Sequence, residues 1–185
     1  MSTSIVWFRK SLRIHDNPAL NEACEDSNVK KIIPLFILDP KILGKDYEKL
    51  GTNRLRFLIE SLRDLDLQLT SKFNSQLIIL EGDPLLLFQK LQKSLGQTLS
   101  SLSCEYCSEP YEREVFSSIR ELLKEENQDI QIKSFSAFQT ILDIEKTIAL
   151  TSFKNPKSMK DMEKIFSAHF NYNQGGFFEI DDPIP

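Results

Sequence analysis

Short apolar runs alternate along this chain with segments that open on a polar residue followed by proline. That alternation limits the fold more than any other feature. Asn17-Pro18, Asp83-Pro84, Glu109-Pro110 and Asn155-Pro156 each place a polar residue before a proline. The first can cap a helix, and proline suits the first helical position, whose N–H would be unpaired anyway. The apolar runs are Ile5–Phe8, Ile32–Leu38, Leu77–Leu80, a weaker one at Leu99–Tyr106, and Ile130–Phe135. Strand then helix, repeated, predicts parallel strands joined by crossover helices.

The spacing predicts helices over Pro18–Glu25, Thr52–Leu69, Pro84–Leu95, Pro110–Glu125 and Pro156–Phe170. The longest carries one apolar stripe of Leu55, Leu58, Ile59, Leu62, Leu65 and Leu69, with Thr52 as its expected N-cap. The first three apolar runs read as central strands. Ile130-Gln131-Ile132-Lys133 alternates and reads as an edge strand. The fold class is therefore α/β: a Rossmann-like, doubly wound, mostly parallel five-stranded sheet with helices on both faces. The expected division is an α/β domain over 1–143, a C-terminal helical segment of the same domain over 144–170, and a linker or tail over 171–185.

Composition narrows the function classes. A chain of 185 residues is long enough for one domain with a real core. A net charge of −4 argues against a general nucleic-acid or membrane binder, so no DNA binding is expected of this chain alone. No run approaches a membrane span, and the charged first twenty residues are not expected to act as a secretory signal. Three cysteines, an odd number, suit a reducing compartment. The expected location is intracellular, in the cytoplasm or nucleus.

The loop after the first strand holds Arg9, Lys10 and Arg13 before any acid. Two readings stay open for it: an anion site near a helix N-terminus, or a salt-bridged loop that fixes the sheet edge. Only six glycines occur, and none lies between Phe8 and Asn17. A dinucleotide fingerprint or P-loop needs glycine there, because its backbone must approach phosphate closely. Cys104 and Cys107 form a C-x-x-C within a strand-like run, not at a helix start where thioredoxin-type chemistry would need it. His15 and His169 have no paired spacing for zinc. Arg54 and Arg56 open the long helix against its dipole, which suggests either a ligand or plain exposure.

Taken in order, WFRKSLRIHDNPAL, PLFILDPKIL, GTNRLRFLIESLRDLD, LEGDP and EPYER resemble the N-terminal α/β domain of the photolyase/cryptochrome family. The first and third blocks look closest to animal cryptochromes and (6-4) photolyases. The resemblance covers about 4–143 and thins over 144–185, where Pro156, Ser158 and Phe166 still fit.

The resemblance implies an antenna-type domain, supporting light harvesting or interdomain packing. Full-length members are DNA photolyases or blue-light photoreceptors. In them the flavin, lesion pocket and tryptophan chain lie mainly in a helical domain. Trp7, the one tryptophan here, belongs to the first strand, so no catalysis is expected of these residues alone. The implied cofactor is a deazaflavin or folate antenna, with FAD only where a helical domain is present. The positions matching a deazaflavin site are Lys10, Phe36, Ile37, Arg54 and Glu109, with Asp39 beside them. Cys107 stands where the family has an acid, and Gln139-Thr140 where it has His-Thr. The implied partner is a helical FAD-binding domain in cis or trans. The alternatives are a protein partner on the same face, or a small nucleotide-binding α/β protein using the basic loop.

Overall fold

A computed structural model of the chain describes residues 2–136 and 157–169. Its backbone divides into two compact units, 1–138 and 139–185. The expected boundary near 143 and the tail 171–185 lie outside the described residues.

The first unit is built on a five-stranded sheet in the order β3-β2-β1-β4-β5. Its strands are β1 (Thr3–Phe8), β2 (Lys31–Leu38), β3 (Ile78–Glu81), β4 (Leu99–Glu105) and β5 (Gln131–Phe135). Every pairing is parallel, and Trp7 of β1 lies opposite Leu35 of β2 and Cys104 of β4. The strand order reverses between β1 and β4, which makes a switch point at the carboxyl ends of the central strands.

Alternation along β1 sorts the core into two layers. Ile5 and Trp7 face one side, where Phe88 of α4 (Pro84–Leu95) and Ile119 and Leu123 of α5 (Pro110–Glu126) are buried with them. Val6 and Phe8 face the other, with Ala19, Leu20 and Ala23 of α1 (Pro18–Glu25) and Leu62, Leu65 and Leu69 of α3 (Thr52–Phe73). Helices thus cover both faces, as the sequence predicts.

Three expectations need correction. The third apolar run forms an edge strand, with Ile78 and Ile79 both exposed, while the weaker fourth run is central. A four-residue strand reads the same from its own sequence whether one neighbour or two lie beside it. Thr52 does not cap α3: Gly51 holds the cap position, with no side-chain bond, and Thr52 is already helical. The apolar stripe of α3 is buried only from Leu62 onward; Ile59 is exposed, while Arg54, Phe57, Leu58 and Ser61 line a cavity.

Caps at the other helix starts follow the expected chemistry in part. Asn17 accepts from the Leu20 N–H, and Asp83 from the N–H groups of Leu85 and Leu86. Glu109 makes no such bond, because its side chain is engaged elsewhere. In the second unit, α6 (Met159–His169) starts three residues after the expected Pro156. Ser158 Oγ accepts from the Asp161 N–H at 3.2 Å and donates to Asp161 Oδ2 at 2.9 Å. Asn155, Pro156 and Phe170 lie outside the described residues.

Candidate functional site

A cavity of about 640 Å³ opens at the carboxyl ends of β1 and β2. Phe8 ends β1, and Phe36 and Ile37 lie among the last three residues of β2. The chain then turns at Asp39, whose carboxylate caps α2 (Pro40–Leu43) by accepting from the Lys41 N–H at 2.8 Å. Gly44 follows with φ of 85°, and a Cβ there would sit 2.8 Å from the Lys49 nitrogen, so only glycine fits this bend. The detour brings Ile42, Leu43 and Leu50 to the cavity before α3 begins. The start of α5 supplies Glu109, Tyr111, Glu112 and Val115.

Charge at this site is largely self-neutralised. Lys10 Nζ is paired with Glu109, and lies 2.9 Å from Glu112 Oε2. Burial alone would lower the Lys10 ammonium, but its bonds to Glu109 and Glu112 outweigh that and raise it. Glu109 is correspondingly held down, to about 2, chiefly by the Lys10 hydrogen bond. Arg9 lies 4.6 Å from the centre of the Trp7 ring and reaches Glu112 Oε1 at 3.4 Å. Tyr111 donates its hydroxyl to Asp39 Oδ2 at 2.8 Å. Burial first, and then Asp39, raises the Tyr111 phenol above its ordinary value.

The structure places Lys10, Phe36, Ile37, Asp39, Arg54 and Glu109 around this one cavity. Arg9, singled out in the sequence as part of the basic loop, lines it too; sequence reasoning missed Phe57, Tyr111 and Glu112, which also line it. Glu112 had a signal: it lies one helical turn beyond Glu109, so both acids meet the same lysine. Phe57 had none, since its spacing falls off the apolar stripe.

The remaining candidates separate cleanly. Of the two readings of the first loop, the salt-bridged one matches the observed partners: Arg9 and Lys10 bond acids of α5, and Arg13 pairs with Asp16 at 3.0 Å. Arg56 pairs with Glu60 at 2.7 Å on the exposed side of α3. His15 is exposed, and its carbonyl accepts from Arg13. Cys104 is on β4 and Cys107 in the loop after it; both are buried and neither is in a disulfide. Burial pushes the Cys107 thiol up to about 12, so it is a poor nucleophile. Cys107, Glu109 and Glu112 bring ligand-type atoms within 4.8 Å of one another. Lys10 and Arg9 already bond both carboxylates, however, which makes the group a cation-filled cluster and not a vacant donor set. Among the described residues, no helix is long and apolar enough to cross a membrane.

A family model described as DNA photolyase matches residues 4–179. Cryptochrome-1 of Spalax judaei is 35% identical over 164 residues, which are 89% of this chain and 26% of that protein. Cryptochrome-2 of Gallus gallus is 37% identical over the same length, again 26% of that protein. The chain spans about a quarter of the length of the curated relatives it matches. Among solved structures, a Synechocystis cryptochrome superposes with a TM-score of 0.73 over 90% of this chain and 33% of its own, at 21% identity, a likeness of fold. A photolyase from Sulfolobus tokodaii, solved with two FAD molecules and discussed as implying a novel light-harvesting cofactor, gives 0.58 over 71% of this chain and 28% of its own, at 27% identity. By the family match over nearly all its length, and by a sheet shared with these neighbours, the chain belongs to the DNA photolyase family and forms its α/β domain.

Proposed function

We propose that this domain holds a flat, conjugated antenna chromophore, of deazaflavin or folate type, in the cavity at the ends of β1 and β2. The observation that carries the reading is the cavity itself. Its volume lies within the roughly 300–1,000 Å³ range of small-molecule sites, and apolar walls meet a few polar groups there. Phe36, Ile37 and Leu58 offer apolar surface, and Phe57 stands beside them 71% exposed, an aromatic face that a ring system would cover. Among the described residues, Arg54 is the cavity cation with no acid partner, which leaves it able to bond an acidic edge of the ligand. The Sulfolobus tokodaii photolyase, solved with two FAD molecules and discussed as implying a novel light-harvesting cofactor, supports the view that a protein of this kind takes an antenna pigment.

When bound, the chromophore supplies absorption and passes excitation energy onward. This chain's residues have the simpler work of placing it and excluding water. Asp39 and Tyr111 fix α2 against α5 through their hydrogen bond. The Lys10–Glu109–Glu112 cluster keeps that wall's charges paired, so they exert little net pull on the ligand. Acceptance of the energy belongs to a flavin on a helical domain, in cis or in trans, within an intracellular photoreceptor or repair protein.

Reconstitution tests the reading. The purified chain is mixed in turn with a deazaflavin, a folate and a flavin, and retained absorbance is measured after desalting. One of the three is expected to stay bound at about one per chain, and Arg54→Ala with Phe57→Ala is expected to weaken it at least about tenfold. If none is retained by a chain with native circular dichroism, the antenna reading fails and interdomain packing takes its place.

A further inference from the structure

Two successive backbone N–H groups in the loop after β1 converge on one oxygen. Lys10 and Ser11 each donate to Glu105 Oε2 at 2.8 Å, and the Ser11 hydroxyl donates to Oε1 at 3.3 Å. Converging N–H groups of this kind make a concavity that suits an oxyanion. Its place is also telling: the end of β1, next to the reversal of strand order, is where nucleotide-binding α/β sheets receive phosphate. Here the occupant is the side chain at the last position of β4, only 2% exposed. The loop's cations are taken in the same way, Arg9 by Glu112 and the Glu105 carbonyl, Lys10 by Glu109 and Glu112, and Arg13 by Asp16.

We propose that Glu105 is a resident anion that fills the oxyanion nest of the β1–α1 loop and closes it to phosphate-bearing ligands. A second anion at hydrogen-bond distance from the same N–H groups would meet the Glu105 charge in a site with little water, so the two exclude each other. A loop that must receive phosphate needs glycine to let the ligand approach. A loop that receives a side chain from its own sheet does not, which accounts for the absence of glycine between Phe8 and Asn17. Glu105 thereby determines specificity: the crevice rejects a nucleotide at the β1 end whatever pigment the neighbouring cavity accepts, so this inference does not depend on the antenna reading.

The test uses the whole chain, labelled with ¹⁵N, as wild type, Glu105→Ala and Glu105→Gln. Each is titrated with inorganic phosphate against chloride at equal ionic strength, following the Lys10 and Ser11 amide signals and the thermal midpoint. Glu105→Ala is expected to bind phosphate at least about tenfold more tightly than the wild type, with both amides shifting and the midpoint rising. If Glu105→Ala folds and phosphate moves neither signal beyond chloride, the proposal is overturned; the same holds if the wild-type amides respond equally. Should Glu105→Ala fold only when phosphate or formate is present, that rescue supports the proposal. Glu105→Gln keeps an acceptor at the same place, and its loss of charge is expected to move the Lys10 and Ser11 amides upfield. Unmoved amides in that variant would also overturn it.

Discussion

Tyr111 donates its hydroxyl to Asp39 Oδ2 across 2.8 Å, joining residues 72 positions apart in the chain. One stands in the first turn of α5 and the other caps α2, and both line the cavity. Tyr111→Phe removes only the hydroxyl and leaves Asp39 with the Lys41 N–H. The expected loss is about 1–2 kcal/mol, read from the urea midpoint at pH 7. The phenol's raised pKa adds a pH signature. The folded state keeps that proton where the unfolded state has released it, so wild-type stability falls above about pH 10. Tyr111→Phe is expected to lose that part of the alkaline decline.

Glu109 gives the opposite sign. Lys10 holds its carboxyl at about 2 against an ordinary 4.5, so the pair's contribution is complete above pH 4.5 and disappears as pH falls toward 2. Glu109 is about half exposed, and solvent screening limits the contribution to roughly 0.5–1 kcal/mol. Denaturant midpoints measured between about pH 5 and pH 2 are expected to drop less in Glu109→Gln than in the wild type.

The two halves of α3 are expected to respond differently to truncation. Leu65 is fully buried among Val6, Phe8 and Leu69, so Leu65→Ala should cost about 2–5 kcal/mol. Ile59 is 57% exposed, and Ile59→Ala should change stability by no more than about 0.5 kcal/mol. Equal losses at the two positions would contradict the observed packing of this helix.

Thiol chemistry tests the reading of the C-x-x-C. Cys24 is exposed, whereas Cys104 and Cys107 are buried. Burial, with Glu112 and Glu105 adding to it against Arg9 and Lys10, pushes the Cys107 thiol up to about 12. A disulfide-exchange reagent at pH 8 is expected to titrate Cys24 quickly in the native protein. Cys104 and Cys107 should react only after unfolding, and Cys24→Ser should remove the fast phase.

Much of this fold is legible in the chain. Period-two alternation in Ile5-Val6-Trp7-Phe8 already sends Trp7 and Phe8 to different layers. The polar–proline pairs mark helix starts at Asn17, Asp83 and Glu109 within a residue. Strand position is legible at β5, whose alternating residues mark an edge, but not at β3, because Ile78 and Ile79 are as apolar as the residues of β2 and only the sheet decides that a neighbour is missing there. Lys10, Phe36, Ile37, Asp39, Arg54 and Glu109 came from the resemblance of their blocks to a known family; spacing alone would not have gathered them. Glu105 and Tyr111 were overlooked because each acts through one partner remote in sequence, and a single chain carries no mark of that pairing.

Lys10 and Glu109 meet across ninety-nine steps of sequence, and the cavity gathers residues from Trp7 through Val115. No partial product of folding that lacks the start of α5 can own this wall. Occupancy of the cavity is therefore a readout of finished assembly. A dye that lodges there would light up only molecules whose central strands and fifth helix have already come together.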